Sequence, residues 1–249
     1  MRSPELDVIY KLANAPLRHY PFPHLYAREV FPAEYYAQML RLLPPASALK
    51  SLQEARGAKG YPDRFVLALG GELPETLSAE QREFWRDFAR WVFRGRLGPA
   101  VLARFTPIVE QRLQENPSME ITDELLMVRD RARYSLGPHT DAPAKVVSVL
   151  FYLPADDRLA GHGTSLYVPK AGGFSHDGRG HLPFEQFERV ATMPFLPNSV
   201  FAFPKTDTSF HGVEPVTGEG VERNLILYDL QLRPAAAPAA GDRQVRFSM

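Results

Sequence analysis

The apolar positions of this chain change their period near residue 118. Before it the spacing is helical: after Ser3-Pro4, a pair suited to an N-cap and a first-turn proline, Leu6, Ile9, Tyr10 and Leu12 fall on one face. An extended segment follows around residues 23–30. Pro32 then opens a second stripe, Tyr35, Tyr36, Met39, Leu40 and Leu43, which Pro44 and Pro45 end. Ser78 and Gln81 form an S-x-x-Q capping box ahead of Phe84, Trp85, Phe88, Trp91 and Val92. After Pro99 comes a further stripe, Val101, Leu102, Phe105, Ile108, Val109 and Leu113. Bulky apolar side chains at this spacing pack a core, so these helices are read as scaffold.

From about Met119 the pattern turns to short β-rich runs bounded by Gly, Pro and Asp. They are LLMVRDRARYS, KVVSVLFYLP, GTSLYVP, FERVATMPF, NSVFAFP, FHGVEPV and ERNLILYDLQL, the spacing of a sandwich or barrel. A single domain is expected, with helix-rich support over about 1–117, a β core over about 118–233 and a tail over 234–249 that includes the low-complexity PAAAPAAGD. The length of 249 residues accommodates one large core.

Composition narrows the chemistry. Twenty-nine basic against 29 acidic residues give no uniform attraction to polyanions, so neither nucleic acid nor a membrane surface is expected as a partner. Glu5 and Asp7 stand where a secretory signal needs basic and apolar residues, and no run of about 18 apolar residues occurs, so a cytoplasmic location is expected. With no cysteine, thiolate chemistry, disulfides and sulfur-ligated metals are excluded, and any metal must rest on His, Asp or Glu.

Among the seven histidines, His139 and Asp141 form H-x-D, and on a strand residues i and i+2 face the same way. That tripeptide is weak evidence alone. His211, in a later β run, completes a set of two imidazoles and one carboxylate, the donor set of non-haem Fe(II) oxygenases, which leaves adjacent coordination positions open. Arg223, at the start of the next run, is suited to hold a carboxylate by a two-pronged pair. A rival metal cluster, His176, Asp177 and His181, lies in the Gly-rich segment 161–187, which is read as a cover for substrate.

The ordered set His139-Thr140-Asp141, His211 and Arg223, within RYSLGPHTDAPAKVVSVLFYLP and LPNSVFAFPKTDTSFHGVEPV, resembles the signature of the Fe(II)- and 2-oxoglutarate-dependent oxygenases, in the prolyl-hydroxylase-like branch. YPFPHLYAREVFPAEYYAQMLRLLP is similar to the segment preceding the core in many members, so the resemblance spans most of the chain. It implies an α+β, mainly β fold: a double-stranded β-helix, or jelly roll, braced by N-terminal helices. It implies His139, Asp141 and His211 as Fe(II) ligands and Arg223 as the anchor of the distal carboxylate of 2-oxoglutarate. Tyr134 is the first choice for a further contact to that co-substrate, ahead of Ser148, Tyr152 and Thr208. The implied reaction consumes O2, releases succinate and CO2, and hydroxylates an unactivated C–H of a small molecule. Asp141 departs from the small residue of related halogenases. Asp229 departs from the second arginine of the nucleic-acid demethylases. Hydroxylation of a protein side chain, or a non-oxidative cupin-like jelly roll that binds metal or sugar, are the alternatives. Substrate identity and oligomeric state do not follow from the sequence.

Overall fold

A computed structural model of the chain describes residues 4–235; Ser3 and the tail from residue 236 lie outside the described residues. The helices are α1 (Glu5–Asn14), α2 (Ala33–Arg41), α3 (Leu52–Arg56), α4 (Ala79–Phe93), α5 (Leu97–Ala103) and α6 (Thr106–Glu115). Four strands are interspersed with them: β1 (Leu17–Arg18), β2 (His24–Arg28), β3 (Lys50–Ser51) and β4 (Arg64–Ala68). The β region then contains β5 (Met119–Arg131), β6 (Leu136–His139), β7 (Lys145–Tyr152), β8 (Thr164–Pro169), β9 (Phe187–Met193), β10 (Ser199–Pro204), β11 (His211–Val213) and β12 (Glu222–Pro234).

The strands form two antiparallel sheets. The larger runs β1-β2-β10-β7-β12-β5-β4-β3 and the smaller β6-β11-β8-β9, so β5, β7, β10 and β12 lie in one sheet and β6, β8, β9 and β11 in the other, with β8 and β9 a hairpin, as in a jelly roll. The central strands of the larger sheet, such as β10 and β12, are buried on both faces. Along β10, Val200 and Ala202 join the cluster packed with the helices, whereas Phe201 and Phe203 join the cluster between the sheets. Along β12, Ile226, Tyr228 and Leu230 face the helices and Leu225 faces inward. This two-sided burial explains why NSVFAFP and RNLILYDL read as almost continuous apolar runs.

Helix α4 begins with the expected capping box. The Gln81 amide donates to Ser78 Oγ at 3.2 Å, and the Ser78 amide donates to Gln81 Oε1 at 3.0 Å. Trp85 is fully buried, and its Nε1 donates to the Leu42 carbonyl at 2.8 Å, which ties α4 to the end of α2. Phe88 meets Phe31, and Phe31 meets Phe151 of β7, so aromatic contacts run from helix to sheet.

Three expectations need correction. The buried stripe of α1 is Val8 and Leu12; Leu6 and Tyr10 are on the outer face, because only one narrow side of this helix meets α5 and β2. The stripe after Pro99 is divided between α5 and α6, with the break at Phe105. Pro107 has no N–H for the Ala103 carbonyl, and its ring would collide with that carbonyl in a continuous helix. Finally, the first 117 residues are not only scaffold helices: they extend the larger sheet on both edges, and β4 carries a residue that reaches the site. Among the described residues no helix is long and apolar enough to cross a membrane.

Candidate metal centre

His139 ends β6 and His211 begins β11, and the two are direct cross-strand partners. The strands approach closely: a Cβ on Gly212 would stand 2.4 Å from the Leu136 carbonyl oxygen, so a side chain there would force them apart. Each imidazole is turned by a carbonyl two residues before it. His139 Nδ1 lies 3.0 Å from the Gly137 oxygen, and His211 Nδ1 lies 3.0 Å from the Ser209 oxygen. A carbonyl can only accept, so Nδ1 carries the proton in both rings and the Nε2 lone pairs remain for a ligand.

Both Nε2 atoms face Asp141 Oδ1, at 3.9 Å from His139 and 3.8 Å from His211. The candidate ligand atoms of the three residues lie within 4.8 Å of one another, and all three residues are buried. Asp141 is not on the strand, as the alternation argument assumed. It lies two residues past the end of β6, and its orientation comes from Ser148 on β7, whose hydroxyl donates to Asp141 Oδ2 at 2.7 Å. Lys145 Nζ stands 3.2 Å from Oδ1 and 3.0 Å from Asp229 Oδ2. Burial opposes the charge on Asp141, but the Lys145 ammonium, aided by the Ser148 hydroxyl, holds its carboxyl well below the usual range. Burial lowers both histidines, and His211 lowers His139 further. A pair of neutral imidazoles and an ionised carboxylate is the protonation state a divalent cation requires. The donor set of two nitrogens and one oxygen fits Fe(II) with open positions, and it falls short of the four ligands of a structural zinc.

The rival cluster does not assemble. His176 Nδ1 accepts from the Gly178 amide, Asp177 pairs with Arg179, and His181 turns away to Tyr61, 2.9 Å from its hydroxyl. The segment nevertheless reaches the centre. Thr140 Oγ1 donates to the His176 carbonyl at 2.8 Å, and the His181 ring lies 5.0 Å from that of His139.

Comparison with known proteins yields structures alone: no protein-family model and no curated protein matches the sequence. A prolyl hydroxylase from Trichoplax adhaerens, solved with a peptide fragment of the hypoxia-inducible factor oxygen degradation domain, superimposes with a TM-score of 0.52 at 13% identity, over 91% of this chain and 88% of that one. The non-haem alpha-ketoglutarate-dependent epimerase SnoN of nogalamycin biosynthesis superimposes with a TM-score of 0.50 at 13% identity, over 97% and 92%. The fold is that of the prolyl-hydroxylase-like 2-oxoglutarate oxygenases.

Within this fold a cavity of about 270 Å³ runs between the sheets from the three candidate ligands to Arg223. Apolar side chains of the larger sheet, including Leu126, Leu225 and Leu227, line the span between them. Arg223 is 1% exposed; its Nη1 donates to Asp130 Oδ2 at 2.5 Å, and its Nε is buried without a partner. Tyr134 is buried beneath the Arg64 guanidinium, 4.4 Å from the ring centroid, and its hydroxyl also has no partner. Burial raises that phenol, so it stays a neutral donor. Of the lesser candidates, Ser148 holds Asp141, Tyr152 donates to Thr164 Oγ1 at 2.8 Å, and Thr208 is in an exposed turn.

Sequence reasoning passed over Lys145, Asp130 and Arg64, and it read Asp229 only as a missing arginine. Lys145 could have been noticed four residues after Asp141. Arg64 and Asp130 could have been noticed as charged residues at inward positions of strands that carry Val66 and Val128 there. Asp229 is 2% exposed, with Oδ1 unpartnered and Oδ2 on Lys145.

Proposed function

We propose that the protein is a non-haem Fe(II)- and 2-oxoglutarate-dependent dioxygenase that hydroxylates an unactivated C–H bond of a small molecule. The observation that carries this reading is the convergence of His139 Nε2, His211 Nε2 and Asp141 Oδ1 at one end of a buried cavity that has Arg223 at the other. The neighbour from Trichoplax adhaerens is described as a prolyl hydroxylase and SnoN as an alpha-ketoglutarate-dependent enzyme, and the same cofactor class suits the residues here. Bound iron and 2-oxoglutarate would supply the oxidising power, coupling reduction of O2 and release of succinate and CO2 to oxidation of the substrate.

The chain's own residues have separate tasks in this reading. His139, Asp141 and His211 hold the metal, and the Gly137 and Ser209 carbonyls hold the imidazoles in the required tautomer. Ser148 occupies Asp141 Oδ2 and turns Oδ1, which also meets Lys145, toward both histidine Nε2 atoms. Arg223 pairs with the distal carboxylate of 2-oxoglutarate, with Tyr134 as a further hydroxyl donor nearby. The apolar walls between the two ends keep water from the reacting C–H. A cupin-like protein without oxidative chemistry would leave the unpartnered Nε of Arg223 without a task.

The test is anaerobic addition of Fe(II) and 2-oxoglutarate, which should produce a weak visible charge-transfer band. Its absence from an iron-loaded sample, or its persistence in His211→Ala, would overturn the proposal. Succinate release screened across metabolite pools then identifies the substrate.

A further inference from the structure

At the inner end of the cavity two arginines share one carboxylate. Strand register sets Arg64 of β4, Asp130 of β5 and Arg223 of β12 side by side. Arg64 grips Asp130 with both prongs, Nε to Oδ1 at 2.7 Å and Nη2 to Oδ2 at 2.9 Å, while Arg223 Nη1 reaches the same Oδ2 at 2.5 Å. Among the described residues the ion pairs of both arginines run to Asp130 alone. Two positive charges against one negative leave one positive charge uncompensated. The side chains of Asp130 and Arg223 are 0% and 1% exposed and that of Arg64 15%, so solvent screens this surplus poorly. Two buried donors of the same neighbourhood, Arg223 Nε and the Tyr134 hydroxyl, have no protein acceptor. Surplus charge and unused donors together specify an anion.

The decisive comparison is the same site without Arg64. Arg223 and Asp130 would then form a neutral pair, and an incoming carboxylate would meet the repulsion of Asp130 alongside the attraction of Arg223. We propose that Arg64 is what makes this end of the cavity receptive to a carboxylate: it neutralises Asp130, holds it in place to orient Arg223, and so leaves the charge of Arg223 to the distal carboxylate of 2-oxoglutarate. This assignment rests on the oxygenase reading for the identity of the ligand. Arg64 is thus a positioning residue contributed by the N-terminal segment, outside the eight strands of the jelly roll. Its own place is set by the Asp130 fork and by the Tyr134 ring beneath it.

The test is a charge rescue. Anaerobic Fe(II)-loaded wild-type protein, Arg64→Gln and the double variant Arg64→Gln/Asp130→Asn are titrated with 2-oxoglutarate by calorimetry and by the charge-transfer band, and Fe(II) affinity is measured for each. Arg64→Gln should weaken 2-oxoglutarate binding about tenfold or more, the range expected for a lost charge-assisted interaction. The double variant again has one uncompensated positive charge, and its affinity should return to within about threefold of wild type, while Fe(II) affinity is the same in all three. A purely structural role for Arg64 predicts no rescue. Unchanged affinity in Arg64→Gln, or a double variant as weak as the single one, overturns the proposal. If wild-type protein gives no band at all, the oxygenase reading fails separately. The arginine unit is then decided with glutarate, which has both carboxylates and no keto group: tighter binding to wild type than to Arg64→Gln supports it, and equal or absent binding overturns it.

Discussion

Ser148 shows how much of this candidate centre depends on a residue outside the set His139, Asp141 and His211. Its hydroxyl takes one oxygen of Asp141 at 2.7 Å, and the other oxygen is the one opposite both histidine Nε2 atoms. Ser148→Ala should therefore weaken Fe(II) binding by about ten- to a hundredfold with the fold retained, as is usual when the partner of a metal-ligating carboxylate is lost. A competition titration that gives unchanged affinity would refute this. A second residue reports on stability. Burial raises the carboxyl of Asp123 from 3.8 to about 6, against the opposing bond from the Tyr228 hydroxyl at 3.2 Å. The native state thus binds a proton more tightly than the unfolded chain. This contribution to stability is greatest below pH 3.8 and is lost as the pH rises to about 6. Asp123→Asn keeps an acceptor for Tyr228 and removes the desolvated charge. It should be about 1 kcal/mol more stable than wild type at pH 7, a figure reduced for the partial exposure of the group, and equal to it at pH 3. Denaturant unfolding at the two pH values measures the difference, and equal stability at both would contradict the sign.

At the scale of elements, the loop between β8 and β9 was legible as Gly-rich, but what fastens it was not. Gly178 has φ +88°, and a Cβ there would lie 1.9 Å from the Asp141 carbonyl oxygen, so the loop passes directly over the turn that contains this candidate ligand. The Thr140 to His176 bond and the Tyr61 to His181 bond fasten it on two sides. Gly178→Ala cannot keep this path. Limited proteolysis should cut within residues 170–186 about tenfold faster or more, because the strap must lift from its attachments, while the rest of the fold stays protected. A cleavage rate equal to that of wild type would show that the contact is dispensable. Helices α2 and α4 needed no tertiary information, since their prolines, capping box and apolar stripes act within a few residues. The outward face of α1 and the break between α5 and α6 were misread from the apolar pattern, because that pattern does not say how much of a face a neighbour will cover.

At the scale of the molecule, the larger sheet has two jobs. One face binds the helices through Trp85, Phe88 and their neighbours, and the other presents charged and apolar rows to the cavity. Arg223, Leu225, Leu227 and Asp229 project inward from one strand, so the cationic end, the apolar span and the carboxylate beside Lys145 follow from alternation along β12. By itself the sequence determined the change of period near residue 118, a β sandwich or barrel that the family resemblance narrows to a jelly roll, the donor types available without cysteine, and the candidate set His139, Asp141, His211 and Arg223. These follow from local alternation, turn chemistry and side-chain chemistry, together with a motif whose order along the chain resembles a known family. Only the tertiary structure decided that β1 to β4 extend the larger sheet, that Lys145 bridges Asp141 and Asp229, and that Arg64 and Arg223 share Asp130. The reason is register. Arg64 and Asp130 are separated by 66 positions, and Asp130 and Arg223 by 93, and only the hydrogen-bonded alignment of three strands brings their charges into one buried layer.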